Sequence, residues 1–158
     1  MSFIAAEPAT TSPQPPESTT VANDGFFPDI DLQRLRGAVR LDGTVTDDRL
    51  RNAVVEAVIS VNDELGTWKA AQQLAGVTGL AELEPRIGGE AVQLRRYLTA
   101  IYRTVKADLN EQFRNFDATK SGDAEAEQLL QMVEDERRAA RWAIRDFLGL
   151  PRTTVELI

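Results

Sequence analysis

The chain has 158 residues and contains no cysteine and no histidine. Without cysteine there is no disulfide framework and no thiolate metal site. Without histidine the commonest general base, the commonest metal ligand and the usual switch near neutral pH are all missing. Catalysis would rest on carboxylates, Lys, Tyr or Ser/Thr alone. No apolar run is long enough to cross a bilayer. The first basic residue is Arg34, so the N-terminus lacks the charged region that opens a signal peptide, and the expectation is a protein made in the cytosol. Basic charge is also short: 18 Lys+Arg stand against 25 Asp+Glu, a formal charge of −7. Phosphate binding is driven by cations displacing counterions, so the default partner is not nucleic acid.

The length sets one domain as the default and suffices for a core without staples. Residues 1–24 read as a flexible Pro/Ser/Thr-rich N-terminal arm, with Pro8, Pro13, Pro15 and Pro16 and little that could pack. Phe26-Phe27-Pro28 reads as an extended anchor, since a residue before proline avoids the helical region. Residues 25–150 read as a helical domain and 151–158 as a C-terminal arm.

Within the domain, Asp31 to Val39 spaces Leu32, Leu35 and Val39 along one side of a short helix. An Asp42-Gly43 turn leads to Thr46 as N-cap, with Asp47 and Asp48 in the first turn, where free N–H groups and the positive dipole end favour acceptors and negative charge. Leu50, Val54, Ala57/Val58, Val61, Leu65 and Trp68 then recur at steps of three and four, predicting a helix from Asp47 to about Gln73. Leu74 to Gly89 is a glycine-rich connection, read either as a functional loop or as one tucked over the core, with one short helical turn of its own. A second long helix is predicted from Glu90 to Phe116 and a third from Asp123 to Leu148, the last stopped by Gly149 and Pro151. No strand pair is predicted. The fold class is all-α, a helical bundle of three long helices and one short helix with extended arms at both ends.

Asp117 to Gln128 has the Asp and Gly of a calcium loop at its first and sixth positions. Thr119 and Ser121 replace two ligands, and Gln128 replaces the bidentate Glu, so a plain interhelical turn is favoured over calcium. The carboxylates Asp47/Asp48 and Glu134/Asp135/Glu136 sit at adjacent helical positions that diverge, which disfavours acid–base work. No metal, cofactor or catalytic residue is expected. Arg95, Arg96, Arg103 and Lys106 make one side of the second long helix basic, and Glu134, Asp135 and Glu136 are part of its acidic complement on the third. Such charges can pair within a subunit or across a subunit boundary, and both readings stay open. Trp68 and Trp142 read as core or interface anchors. Beyond the last helix, Thr154, Val155, Leu157 and Ile158 alternate enough for an extended contact segment.

From Phe26 to Trp142 the chain resembles the head completion protein family of contractile-tailed bacteriophages, the GPL family. The residues that carry the likeness are Asp42-Gly43-Thr44-Val45 leading into a helix, and Phe116-Asp117 with Thr119 and Gly122 in a later turn, in that order across a helical chain. The resemblance implies a virion structural protein without catalytic residues, acting after DNA packaging to close the filled head and prepare the tail attachment site. It implies as partners the portal protein, other neck and tail-completion proteins, and further copies of itself in a dodecameric connector ring that DNA traverses without specific binding. No membrane enters this picture. On that reading the seven charged residues at 95, 96, 103, 106 and 134–136 are candidate subunit-interface residues, and the segment with Thr154, Val155, Leu157 and Ile158 is the candidate portal or connector contact. The alternative is a soluble DNA-binding or regulatory protein that uses Arg95, Arg96, Arg103 and Lys106.

Overall fold

The computed structural model describes residues 19–41, 43–117 and 123–152. It is mostly helical: α1 (Leu32–Val39), α2 (Asp47–Leu74), α3 (Val92–Asp117) and α4 (Asp123–Leu148), with a short 3₁₀ turn at Leu80–Glu82. Two small antiparallel pairs join β1 (Thr20–Val21) to β2 (Ile30–Asp31), and β3 (Arg86–Ile87) to β4 (Glu90–Ala91). These pairs correct the expectation of no paired strands. The second forms because Gly88 and Gly89 both take positive φ, at 60° and 82°, the conformation a two-residue hairpin turn demands. It also delays the start of α3 from Glu90 to Val92.

Local chemistry explains the helix ends. The Asp31 carboxylate accepts hydrogen bonds from the Gln33 and Arg34 N–H groups and caps α1. Thr46 Oγ1 accepts from Arg49 N at 3.4 Å at the start of α2, as expected. Gly149 at φ 69° ends α4, and the Leu150 N–H donates back to the Arg145 carbonyl at 2.8 Å. The predicted stripe of α2 from Leu50 to Leu65 is buried, and Trp68 packs against the core. α3 lies along α4 for much of its length, contacts α2 more briefly, and carries α1 across its other flank. Leu80, in the connection, is fully buried, and its N–H donates to the Phe26 carbonyl at 2.9 Å. The connection is therefore tucked over the core. The Asp42 position and the turn at 118–122, with the loop weighed for calcium, lie outside the described residues.

The N-terminal segment holds the long helices together. The Phe27 ring stacks on Tyr97 of α3 with centroids 4.6 Å apart and planes 4° from parallel. Phe26 meets Phe27 edge-on at 5.3 Å and Trp68 of α2 at 6.2 Å, and Trp68 meets Phe147 of α4 at 4.5 Å. Beneath this relay lies a closed polar ring. Asn23 Nδ2 donates to Tyr97 Oη at 2.9 Å, Tyr97 Oη donates to Asn62 Oδ1 at 2.7 Å, and Asn62 Nδ2 donates to Asn23 Oδ1 at 2.9 Å. Asn23 also donates to the Pro28 carbonyl and accepts from the Asp24 N–H, so its amide is fully used. Burial raises the Tyr97 hydroxyl far above the ordinary tyrosine range, so it remains a donor. Within residues 20–24, placed in the N-terminal arm by composition, Thr20 and Val21 pair as β1 and Asn23 closes this ring.

Tyr97 is fully buried, whereas Tyr102 is only partly buried. Trp142 is half-buried outside the core cluster, with the Arg138 and Arg152 guanidiniums 5.5 and 5.2 Å from its ring centroid.

Phe27→Ala should cost about 3–5 kcal/mol of stability, the usual loss for a large buried ring. Tyr97→Phe should cost about 1–3 kcal/mol, because it leaves a part-buried amide donor and a part-buried acceptor without their partner. Guanidinium-unfolding midpoints at constant slope would check both.

Candidate assembly surfaces

A groove of about 350 Å³ runs between α1 and α3. Val39, Leu98 and the partly buried Tyr102 line it, and Arg34, Arg95, Arg103 and Lys106 surround them. Helical spacing places Arg95, Thr99, Arg103 and Lys106 on one side of α3, away from the Thr104 and Asp108 side that adjoins α2 and α4.

Each carboxylate at the groove is shared by two cations. Glu90 lies 2.8 Å from Arg34 and 3.3 Å from Arg95. Glu136, on α4, lies 2.8 Å from Arg103 and 3.0 Å from Lys106. Four cations against two carboxylates leave a local surplus of positive charge on a chain that is acidic overall. Hydrogen bonding to Arg34 holds the Glu90 carboxyl below its ordinary range. Burial pushes the Glu136 carboxyl up, but the hydrogen bonds from Arg103 and Lys106 outweigh it and hold the group below its ordinary value.

Arg95, Arg103, Lys106 and Glu136 thus come together within one chain. Arg96 turns aside: its guanidinium donates to Gln93 Oε1 at 3.3 Å, and it lines a neighbouring hollow with Asp146. Asp135 pairs with Arg138 at 2.6 Å on the same helix, and Glu134 is exposed. Sequence reading missed Arg34 and Glu90, which complete the groove. Neither belongs to the α3 charge pattern, so periodicity gave no signal for them.

The α2–α3 side carries the opposite sign. Glu56, Asp108 and Glu111 gather there with Arg49, and Arg137 of α4 binds both Asp108, at 3.5 Å, and Glu111. Burial raises the Asp108 carboxyl, and the Arg137 charge only partly offsets it.

Thr154, Val155, Leu157 and Ile158 lie outside the described residues. The chain approaches them from a fixed root. Arg152 grips Asp146 through two hydrogen bonds, at 3.1 and 2.5 Å, while its guanidinium covers Trp142 and Arg145 donates to the Pro151 carbonyl at 2.7 Å. Among the described residues no group of three or more potential metal ligands comes together, and no helix is long and apolar enough to cross a membrane.

The fold and its charged grooves define a helical structural domain with no described metal-ligand group, and the sequence agrees with a structural class. Residues 21–158 match the family described as phage head completion protein (GPL), and the chain belongs to that family. It is 33% identical over 157 residues to the head completion/stabilization protein of Escherichia phage P2, covering 98% of this chain and 93% of that protein. No solved structure matches it significantly. The family is a structural one of the phage head, not an enzyme family.

Glu136 gives a pH test. Its lowered carboxyl contributes stability that is fully present above the ordinary glutamate value of 4.5 and is lost as pH falls through the lowered value. Asp108, raised by burial, acts in the opposite direction. Glu136→Gln should therefore cost about 2 kcal/mol near neutral pH. It should also flatten the loss of stability on acidification, as read from urea midpoints along a pH series.

Proposed function

We propose that this protein completes the DNA-filled head as a connector ring seated on the portal protein, and that it forms part of the surface to which the tail attaches. The family match across residues 21–158 carries this reading, because it fixes a structural role at the head. We read the subunit as a helical bundle of three long helices and one short one, with an extended arm at each end. A ring needs two different faces on each subunit that meet head-to-tail. A basic groove on α1–α3 and an acidic α2–α3 side support that requirement. The acidic balance of the chain suits a passage that DNA must traverse without being gripped. Localisation is then the virion neck, after synthesis in the host cytoplasm, with other neck and tail-completion proteins as further partners. The segment with Thr154, Val155, Leu157 and Ile158 is the contact to the portal or to an adjacent subunit, made by adding an extended strand to an exposed edge.

The DNA-binding alternative draws on the same cations. It is the weaker reading, because Arg103 and Lys106 already share Glu136 and Arg95 shares Glu90. Absence of salt-dependent DNA binding by the purified chain at low salt would remove it.

Deleting residues 153–158 should leave a chain that folds and unfolds like the parent, yet sharply reduce tailed, DNA-filled particles when it replaces the parent during infection. Normal numbers of tailed particles by electron microscopy would refute the arm's role.

A further inference from the structure

The outer face of α2 has features that its own chain does not explain. Val55 and Ile59, one turn apart, are 37% and 52% exposed on a helix whose other face supplies the core. Gly66 falls on the same flank by helical spacing. Glycine is the poorest helix former after proline, and a Cβ at Gly66 would meet nothing within 4 Å. Packing within the chain therefore gives no reason for glycine there, whereas close approach of a second body would. Asp48, Glu56 and Asp63 flank this apolar ridge, all exposed and none in an ion pair among the described residues. Glu56 gathers with Asp108 and Glu111 against Arg49 and Arg137 alone, so this side keeps a surplus of negative charge.

The α1–α3 groove is its complement. Its floor is apolar, at Val39 and Leu98, and its rim carries more cations than the two carboxylates can offset. Arg95 reaches furthest out, with a side chain 71% exposed. The dimensions correspond: Val55 to Gly66 spans about 16 Å along α2, and Arg95 to Lys106 about 16 Å along α3. The ridge and the groove occupy different faces of the chain, so neither can satisfy the other within one copy. We propose that the α2 ridge of one copy, centred on Val55 and Ile59, seats in the α1–α3 groove of the next copy. The contact is heterologous, and it extends head-to-tail until rotation closes it. This inference rests on the connector reading above, to which it adds the two faces that meet.

The test uses the full chain in assembled particles. A photoreactive benzoylphenylalanine replaces Ile59, and DNA-filled heads are purified and illuminated. The expected product is a covalent dimer and higher ladder of this chain, with the crosslink mapped to 98–106. Arg95→Glu should lower its yield roughly tenfold, since it sets like charges face to face at the rim. Gly66→Leu should lower the yield as well while raising the melting temperature of the isolated chain, which separates blocked docking from misfolding. A crosslink to a different protein, or to another part of this one, overturns the inference and leaves the connector reading standing. Absence of the chain from filled heads overturns both.

Discussion

Three long helices meet at one pair of aromatic rings. Phe27 lies flat on Tyr97 of α3, and through Phe26 it reaches Trp68 of α2 and Phe147 of α4. Each ring excludes water from the next, and stacked or edge-on rings add to burial energetics through their quadrupoles. The helices could pack in pairs without this relay, but their angles around α3 would be set only by apolar side chains, which tolerate sliding. The Asn23–Tyr97–Asn62 ring removes that freedom. Its donors and acceptors are satisfied in only one arrangement, and a buried polar group left unpaired costs more than a made bond contributes. The N-terminal segment is therefore a strap whose polar half sets position and whose aromatic half supplies cohesion.

The two charged faces depend on that strap at one remove. α1 begins directly after it, at the Asp31 cap, and Arg34 sits one turn into α1. Positioning α1 against α3 brings Arg34 to Glu90 and places Val39 at the floor of the groove. On the far wall Glu136 of α4 gathers Arg103 and Lys106, so the groove also reports how α4 lies on α3. A surface assembled from three helices is a sensitive one: a small rotation of any of them would open the rim and redistribute the cations.

Much of the fold is legible in the linear sequence where a rule of local geometry applies. Thr46 and Asp31 announce helix starts, Gly149 with Pro151 announces a stop, and the α2 stripe from Leu50 to Trp68 marks its buried side. Gly88-Gly89 was an equally local signal for a hairpin, masked by reading the whole connection as irregular. What was not legible joins residues far apart. Asn23, Asn62 and Tyr97 lie 35 to 74 positions from one another, and nothing periodic distinguishes an asparagine in such a ring from one on the open surface. Charge was half legible for the same reason. The α3 cations are visible as a pattern, but that Glu136 takes two of them, and that Arg34 and Glu90 complete the rim, follows only from the tertiary arrangement.

The strap has a temporal side. Asn23 and Phe27 leave the ribosome long before Tyr97 and Phe147, and the contacts that join them to α2 and α3 lie across large separations in sequence. Long-range contacts repay their loop-closure entropy only when they form, so they tend to form late. During synthesis the early segment can meet α2 first, through Trp68 and Asn62, but the stacking partner of Phe27 arrives only with α3. Seating Phe27 on Tyr97 then fixes α1 and α3 relative to one another, and with them the groove between the two helices. The arrangement of the long helices is in this sense completed when residues 23–27 find α3.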